Sequence, residues 1–286
     1  MTQGIGLQHS LDRIDTLPAL PVIAQKLLTL ALDTDEGEAQ LLKLIAQDPQ
    51  ISAKIIGLSN SALFGSPRKI TSVSDAAMCL GLTQVKSVAI GIATMSALAK
   101  QSEGKLKSAD LWTHNMAIAN AMRVIARHMP ARLRPMDDQI FLAGLLHDIG
   151  YNVLSFLDSS ASDGLYEKLN APTDDSLLNI EQQLLGTHHG ELGARLALHW
   201  GLPEEIIAVI RFHHMPDNPD AEAGQPLVSL VHLAEKIMPD FGIPEHTGQQ
   251  ILPQEWIALG IEATEQDAIV QEVNTAAEQV RQLAIA

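Results

Sequence analysis

What most constrains this chain is a succession of short segments that repeat apolar residues at helical spacing, each bounded by a turn or capping signal. VIAQKLLTLALD, EAQLLKLIAQ, ISAKIIGLSNSAL, QVKSVAIGIATMSALAK, DLWTHNMAIANAMRVIARHM and HGELGARLALHW follow this pattern. Asp48 followed by Pro49 reads as an N-cap and first-turn pair, Ser74 with Asp75 as a helix start, and Thr83 as a further cap. Gly201 and Pro203 form a stop signal, after which Glu204 and Glu205 sit in a new first turn, where negative charge meets the positive end of the helix dipole. Thr264 and Asp267 suggest a capping box before a last amphipathic helix. No strand-like alternation of useful length interrupts the series. Aromatic residues are only 3% of the chain, which also favours helices over sheets. The expected fold class is all-α: a multi-helix bundle with an N-terminal helical subdomain.

The 286 residues are 46% hydrophobic, enough for a sizeable core. A polar, Gly-containing stretch from Gln101 to Ser108 suggests a division into 1–104, 105–245 and a C-terminal extension, 246–286. Asp158 to Ser176, which contains Ser, Asp, Gly, Pro and Thr, reads as an exposed loop interrupted by one short helix. With 34 acidic against 19 basic residues the net charge is −15, which repels a phosphate backbone. The densest basic group, Arg123, Arg127, Arg132 and Arg134, reads as a solvated helix end. Residues 83–100 mimic the second helix of a helix-turn-helix, but a largely apolar run with one Lys inside it, Lys86, and another only at its end, Lys100, suits a core and not a groove. No nucleic-acid partner is expected. The N-terminus lacks a basic start followed by an apolar run, and the long apolar stretches read as interrupted before membrane-spanning length. The single cysteine, Cys79, suits a reducing compartment. The expectation is a cytoplasmic protein without a membrane partner.

Chemistry concentrates in the second half. Of eleven histidines, the informative ones fall on successive helices: His114, His147 beside Asp148, His188 with His189, and His213 with His214. Each adjoins an apolar stretch that faces a core, and helical bundles build metal sites from side chains on facing helices. Neutral imidazole and carboxylate suit Fe, Mn or Zn, and such a site can lower the pKa of bound water toward about 7. His147 and Asp148 would leave one continuous helix about 100° apart; at a helix end closed by Gly150 they can converge. Either His188 or His189 can be the inward member of its pair. A lone helical histidine is more often a surface or core residue than a ligand, which is the reading for His9, His128, His199 and His246.

The ordered series LPALPVIAQKLL, LIAQDPQISAKIIGLSNSALFG, VSDAAMCLGLTQVKSVAI, DLWTHN, FLAGLLHDIG, HHGELGARLALHWGLP and RFHH resembles the HDOD domain of bacteria over residues 10–240. That resemblance implies an HD-domain-like helical bundle, related to metal-dependent phosphohydrolases and used as a regulatory or signal-transduction module. It implies metal-ligating roles for His114, His147, Asp148, His189, His213, His214 and Glu235, one or two divalent ions, and Asp148 as the catalytic carboxylate of an active relative. Glu235 stands where relatives carry Asp in a sequence like LAD. Sister domains that degrade cyclic dinucleotides carry Lys where this chain has Tyr151, and a Gly-Tyr-Pro signature where it has RFHHMPDNPD, so that activity is not expected. The first expectation is a signalling module that binds a partner protein or small effector and keeps a largely structural metal site. The alternatives are a metal-dependent phosphohydrolase acting on a nucleotide or other phosphoester, and a scaffold whose histidines only hydrogen-bond within the core.

Overall fold

Asp48 illustrates how local chemistry sets the elements: its Oδ1 accepts from the backbone N–H of Gln50 and Ile51, each at 3.0 Å, with Pro49 in the first turn behind it. In a computed structural model, which describes residues 17–285 apart from 62–63, 65–67, 100–103, 174, 241–242, 244 and 246–248, the fold is all-α, with no strand among the described residues. The first part contains α1 (Val22–Leu28), α2 (Asp35–Ala46), α3 (Pro49–Ser59), α4 (Val73–Leu80) and α5 (Leu82–Leu98). There follow α6 (Ser108–His128), α7 (Asp137–Leu146), α8 (Ile149–Leu157), α9 (Ser159–Leu169), α10 (Leu177–Leu185), α11 (His189–His199) and α12 (Glu204–Phe212). A 3₁₀ segment (Pro219–Gly224) leads to α13 (Leu227–Ile237), α14 (Pro253–Ala258) and α15 (Gln266–Ile285).

Several boundaries differ from the sequence expectation for identifiable reasons. Ser72, not Ser74, caps α4, its Oγ accepting from Asp75 N. Gly81, at φ 88°, takes the N-cap position of α5 ahead of Thr83. The Asp158–Ser176 stretch is mostly the helix α9, because Asp158 Oδ1 caps it through Ala161 N and Leu165 anchors it in the core. Arg123 is not solvated: it donates to Gln84 Oε1 at 2.6 Å and lies over the Phe141 ring. Arg134 donates to the carbonyls of Arg127 and Met129, satisfying acceptors that the end of α6 leaves open. Asp137–Leu157 is long and apolar enough to cross a membrane, contrary to the expectation from the sequence, but 83% of that window is buried in the protein.

α6 is the axis of the site-bearing part. α7, α13 and α15 pack on it, while α8 packs on α11 and α11 on α12. Small residues let these helices approach closely. A Cβ on Gly144 would meet the backbone of Ala119, and one on Gly150 would run into the His189 carbonyl. One continuous apolar core runs from Leu17 to Val280, with α5 packing against α1, α3 and α7.

Candidate metal centre

The chain breaks its helix where the chemistry requires it. His147 is the last, capping residue of α7, and Asp148, at φ −99° and ψ 16°, precedes α8. Side chains that would diverge on one helix therefore meet. His114 comes from α6, His189 begins α11, His213 and His214 follow α12, and Glu235 lies on α13. Asn115, next to His114, donates to Leu145 O at 3.0 Å and ties α6 to the end of α7.

Asp148 is central and offers one oxygen to each half of the cluster. Its Oδ2 lies 3.3 Å from Nε2 of both His114 and His147, and Glu235 Oε1 lies 3.3 and 2.9 Å from the same two nitrogens. Its Oδ1 lies 3.4 Å from His189 Nε2 and 3.5 Å from His213 Nε2. His214 Nε2 is 3.2 Å from Glu245 Oε2. Potential ligand atoms of His114, His147, Glu235 and Glu245 all lie within 4.8 Å of one another, as do those of His189, His213, His214 and Glu245. No side chain of the set is more than 4% exposed.

The outer hydrogen bonds fix how the rings face. His147 Nδ1 donates to Gly144 O at 2.8 Å, and His213 Nδ1 to the Val209 and Ile210 carbonyls at 3.1 Å. His189 Nδ1 donates to Glu181 Oε1 at 2.7 Å, and its backbone N–H to Glu181 Oε2 at 3.2 Å. With those protons committed, the Nε2 lone pairs point inward, and those of His189 and His213 face each other at 3.0 Å. Two buried lone pairs at that separation repel unless a cation or a proton lies with them. Both ring nitrogens of His114, Nε2 of His147, both oxygens of Asp148, Glu235 Oε1 and Glu245 Oε2 are also buried without an aligned hydrogen-bond partner. Leaving such groups uncompensated costs several kcal/mol each.

The electrostatics are those of a cluster that favours positive charge. Burial opposes charge on His147, yet Asp148 and Glu235 outweigh it and push the imidazole up to about 10. Burial works against charge on His114 and His189 too, and the surrounding carboxylates still raise both well above the usual range. For Asp148 and Glu235, burial is overcome by the imidazoles, which hold both carboxyls low. Burial, reinforced by Asp148 and Glu235, pushes Glu245 up to about 8. Without metal, the cluster must take up protons to balance its carboxylates; a divalent cation does the same work with imidazoles neutral.

Thus His114, His147, Asp148, His189, His213, His214 and Glu235 lie in one cluster, and His189 is the inward member of its pair. His188 stays 28% exposed. His128 sits outside, beside Glu265 and Glu272, while His9 and His246 fall outside the described residues. Two carboxylates were not singled out from sequence. Glu181 had a visible signal, since it occupies the apolar stripe of α10 with Leu177, Ile180 and Leu185. Glu245 had none, lying between α13 and α14 in no periodic pattern. Tyr151 donates to Glu245 Oε1 at 2.5 Å and stacks on His189 with ring centroids 4.2 Å apart. A cavity of about 740 Å³ borders the cluster at His214 and is walled by His232, Lys236 and Glu255 among others.

The HDOD domain pattern matches residues 17–216. The chain belongs to the HDOD family. An HDOD domain protein from Geobacter sulfurreducens superposes with a TM-score of 0.79 at 26% identity, covering 99% of this chain and 97% of that one. A Marinobacter aquaeolei VT8 protein provisionally classed as a signal transduction protein gives 0.78 at 25% identity, over 95% of this chain and 59% of that one. An uncharacterized protein of Treponema pallidum (strain Nichols) is 30% identical over 232 residues, 78% of this chain but 42% of its own length. The HDOD chain therefore spans less than two thirds of the Treponema and Marinobacter proteins. The cluster straddles the end of the matched region: His114 to His214 lie within 17–216, and Glu235 and Glu245 lie beyond it.

Proposed function

We propose that this HDOD protein is a cytoplasmic signalling module whose core holds one or two divalent metal ions, of Fe, Mn or Zn type, in the histidine–carboxylate cluster. What carries this is the pair of inward Nε2 lone pairs, His189 and His213, 3.0 Å apart beside Asp148 Oδ1. The outer hydrogen bonds of three of the rings have the form that orients metal-bound imidazoles: Nδ1 of His147 and of His213 is tied to backbone carbonyls, and that of His189 to the Glu181 carboxylate. His114, His147, Glu235 and Asp148 Oδ2 would hold one ion, and His189, His213, His214 and Asp148 Oδ1 the other. Bound there, divalent ions would neutralise the carboxylates and supply Lewis acidity.

Signalling would run through a partner protein or small effector. A second cavity of about 720 Å³, between α3, α5 and α6 and walled by Leu58, Ile92, Met95, Trp112 and Met116, has the volume of a small-molecule site and supports the effector part. Nucleic acid and membrane are not among the partners proposed, given the net charge of −15. The second reading, a metal-dependent phosphohydrolase with Asp148 at its catalytic centre, is favoured by the nitrogen–oxygen donor set, which suits phosphoester chemistry. Metal uptake by the wild type and by His147→Ala, together with turnover of a chromogenic phosphodiester by the loaded protein, tests both. Bound metal without turnover is expected, metal with turnover moves the assignment to the enzyme, and equal uptake by wild type and variant rejects the ligand set.

A further inference from the structure

Whether a metal centre can do hydrolytic chemistry depends on an open position: structural sites are closed by protein ligands, whereas catalytic ones keep a place for water or substrate. Here residues on and at the ends of the helices supply three donors to each group of potential ligands, His114, His147 and Glu235 in one and His189, His213 and His214 in the other, and Asp148 sets one oxygen against each: Oδ2 beside His114 and His147, Oδ1 beside His189 and His213. Glu245 is the addition. It comes from the segment between α13 and α14, not from the helices that build the bundle, and it is the residue common to both groups of potential ligands. Its side chain is wholly buried. One oxygen, Oε1, is held by the Tyr151 hydroxyl at 2.5 Å. The other, Oε2, has no aligned hydrogen-bond partner and lies 3.2 Å from His214 Nε2. A buried carboxylate oxygen so placed is an unused ligand, not a structural hydrogen-bonding group. Tyr151 is well suited to aim it, because its ring is wholly buried and stacked on His189.

Taking the metal-site reading as its basis, we propose that Glu245 is a closing ligand shared by the two metal positions, and that Tyr151 is the positioning residue that holds it there. Glu245 takes the place that a hydrolytic centre would leave to water, so the loaded site is kept shut by the chain itself. This gives a physical reason for an HDOD module to keep a full ligand set and act in signalling. Displacement of Glu245 would open the centre to an exchangeable water or a small anion.

The test is the longitudinal relaxation of bulk water protons in the presence of full-length protein loaded with Mn²⁺ alone, which reports water exchanging on and off the metal. Bound manganese is measured in parallel by elemental analysis. Wild type is expected to bind manganese with low relaxivity per bound ion. Glu245→Gln, which keeps the shape, and Glu245→Ala, which vacates the space, are expected to retain metal through the remaining ligands and raise relaxivity severalfold. Tyr151→Phe is expected to give an intermediate rise at unchanged metal content, which a purely packing role for the hydroxyl would not produce. High relaxivity in wild type, or no rise in either Glu245 variant at equal loading, overturns closure alone. A wild type that takes up no manganese overturns the metal reading and closure with it.

Discussion

Gly150→Ala should damage the centre without replacing any residue of the cluster. Gly150 lies where α8 crosses the start of α11, and a Cβ there would place the His189 carbonyl carbon 2.6 Å away and its Cα 3.1 Å away. The His189 carbonyl oxygen would be nearer still, at 1.9 Å; a relaxed carbon–oxygen contact is about 3.3 Å, so the helices must separate by roughly 1.4 Å. What must move is backbone, which cannot swing aside as a side-chain end can. Overpacking of this kind costs about 1–3 kcal/mol, and the upper end is expected here. The same separation pulls His189 from Asp148, whose Oδ1 is 3.4 Å from His189 Nε2. Metal–ligand distances tolerate only about 0.2 Å, so affinity should collapse as well. Gly164→Ala is the control: it lies inside α9, a Cβ there meets nothing within 4 Å, and it should stabilise by about 0.5–1 kcal/mol through helix propensity. Urea denaturation of the metal-free proteins, with metal content measured alongside, gives both numbers. A Gly150→Ala protein within about 0.5 kcal/mol of wild type and with full metal content would refute the close-approach argument.

Glu181→Gln should lower metal affinity by about 10–100-fold, since it weakens the partner that orients His189 without removing a ligand; competition with a chromophoric chelator measures this, and unchanged affinity would contradict the outer-shell role. Metal loading near neutral pH should release protons, because His147 in the metal-free cluster is held protonated up to about 10 and must deprotonate to ligate. Affinity should therefore fall as pH falls, and the calorimetric binding enthalpy should vary with the ionisation enthalpy of the buffer; no buffer dependence would count against the coupling. Asp48→Ala should cost about 1 kcal/mol through loss of the α3 cap while leaving metal content unchanged, as read by thermal unfolding and elemental analysis.

Much of the fold was legible because helices announce themselves by apolar period and caps: Asp48–Pro49 and Gly201 act as the sequence suggests. The members of the cluster were legible for a related reason. His147 with Asp148 and His213 with His214 stand at helix ends, where short dipeptides between apolar runs are conspicuous. Details that depend on tertiary packing were not. Arg123 reads as solvent-exposed until Gln84 of α5 and Phe141 of α7 are brought to it. The serines of α9 weaken its local signal, and burial of Leu165 overrides their preference. Glu181 was readable in hindsight, as a carboxylate on an apolar stripe. Glu245 was not, because it lies outside any helix and its place depends on a tertiary contact, with the Tyr151 hydroxyl that holds it.

The most direct test of the metal reading is elemental analysis, by inductively coupled plasma mass spectrometry, of protein purified without chelator or added metal. The arrangement predicts about one to two equivalents of iron, manganese or zinc per chain. No bound metal, even after reconstitution with each ion, would contradict it and leave the inward imidazoles held together by protons alone.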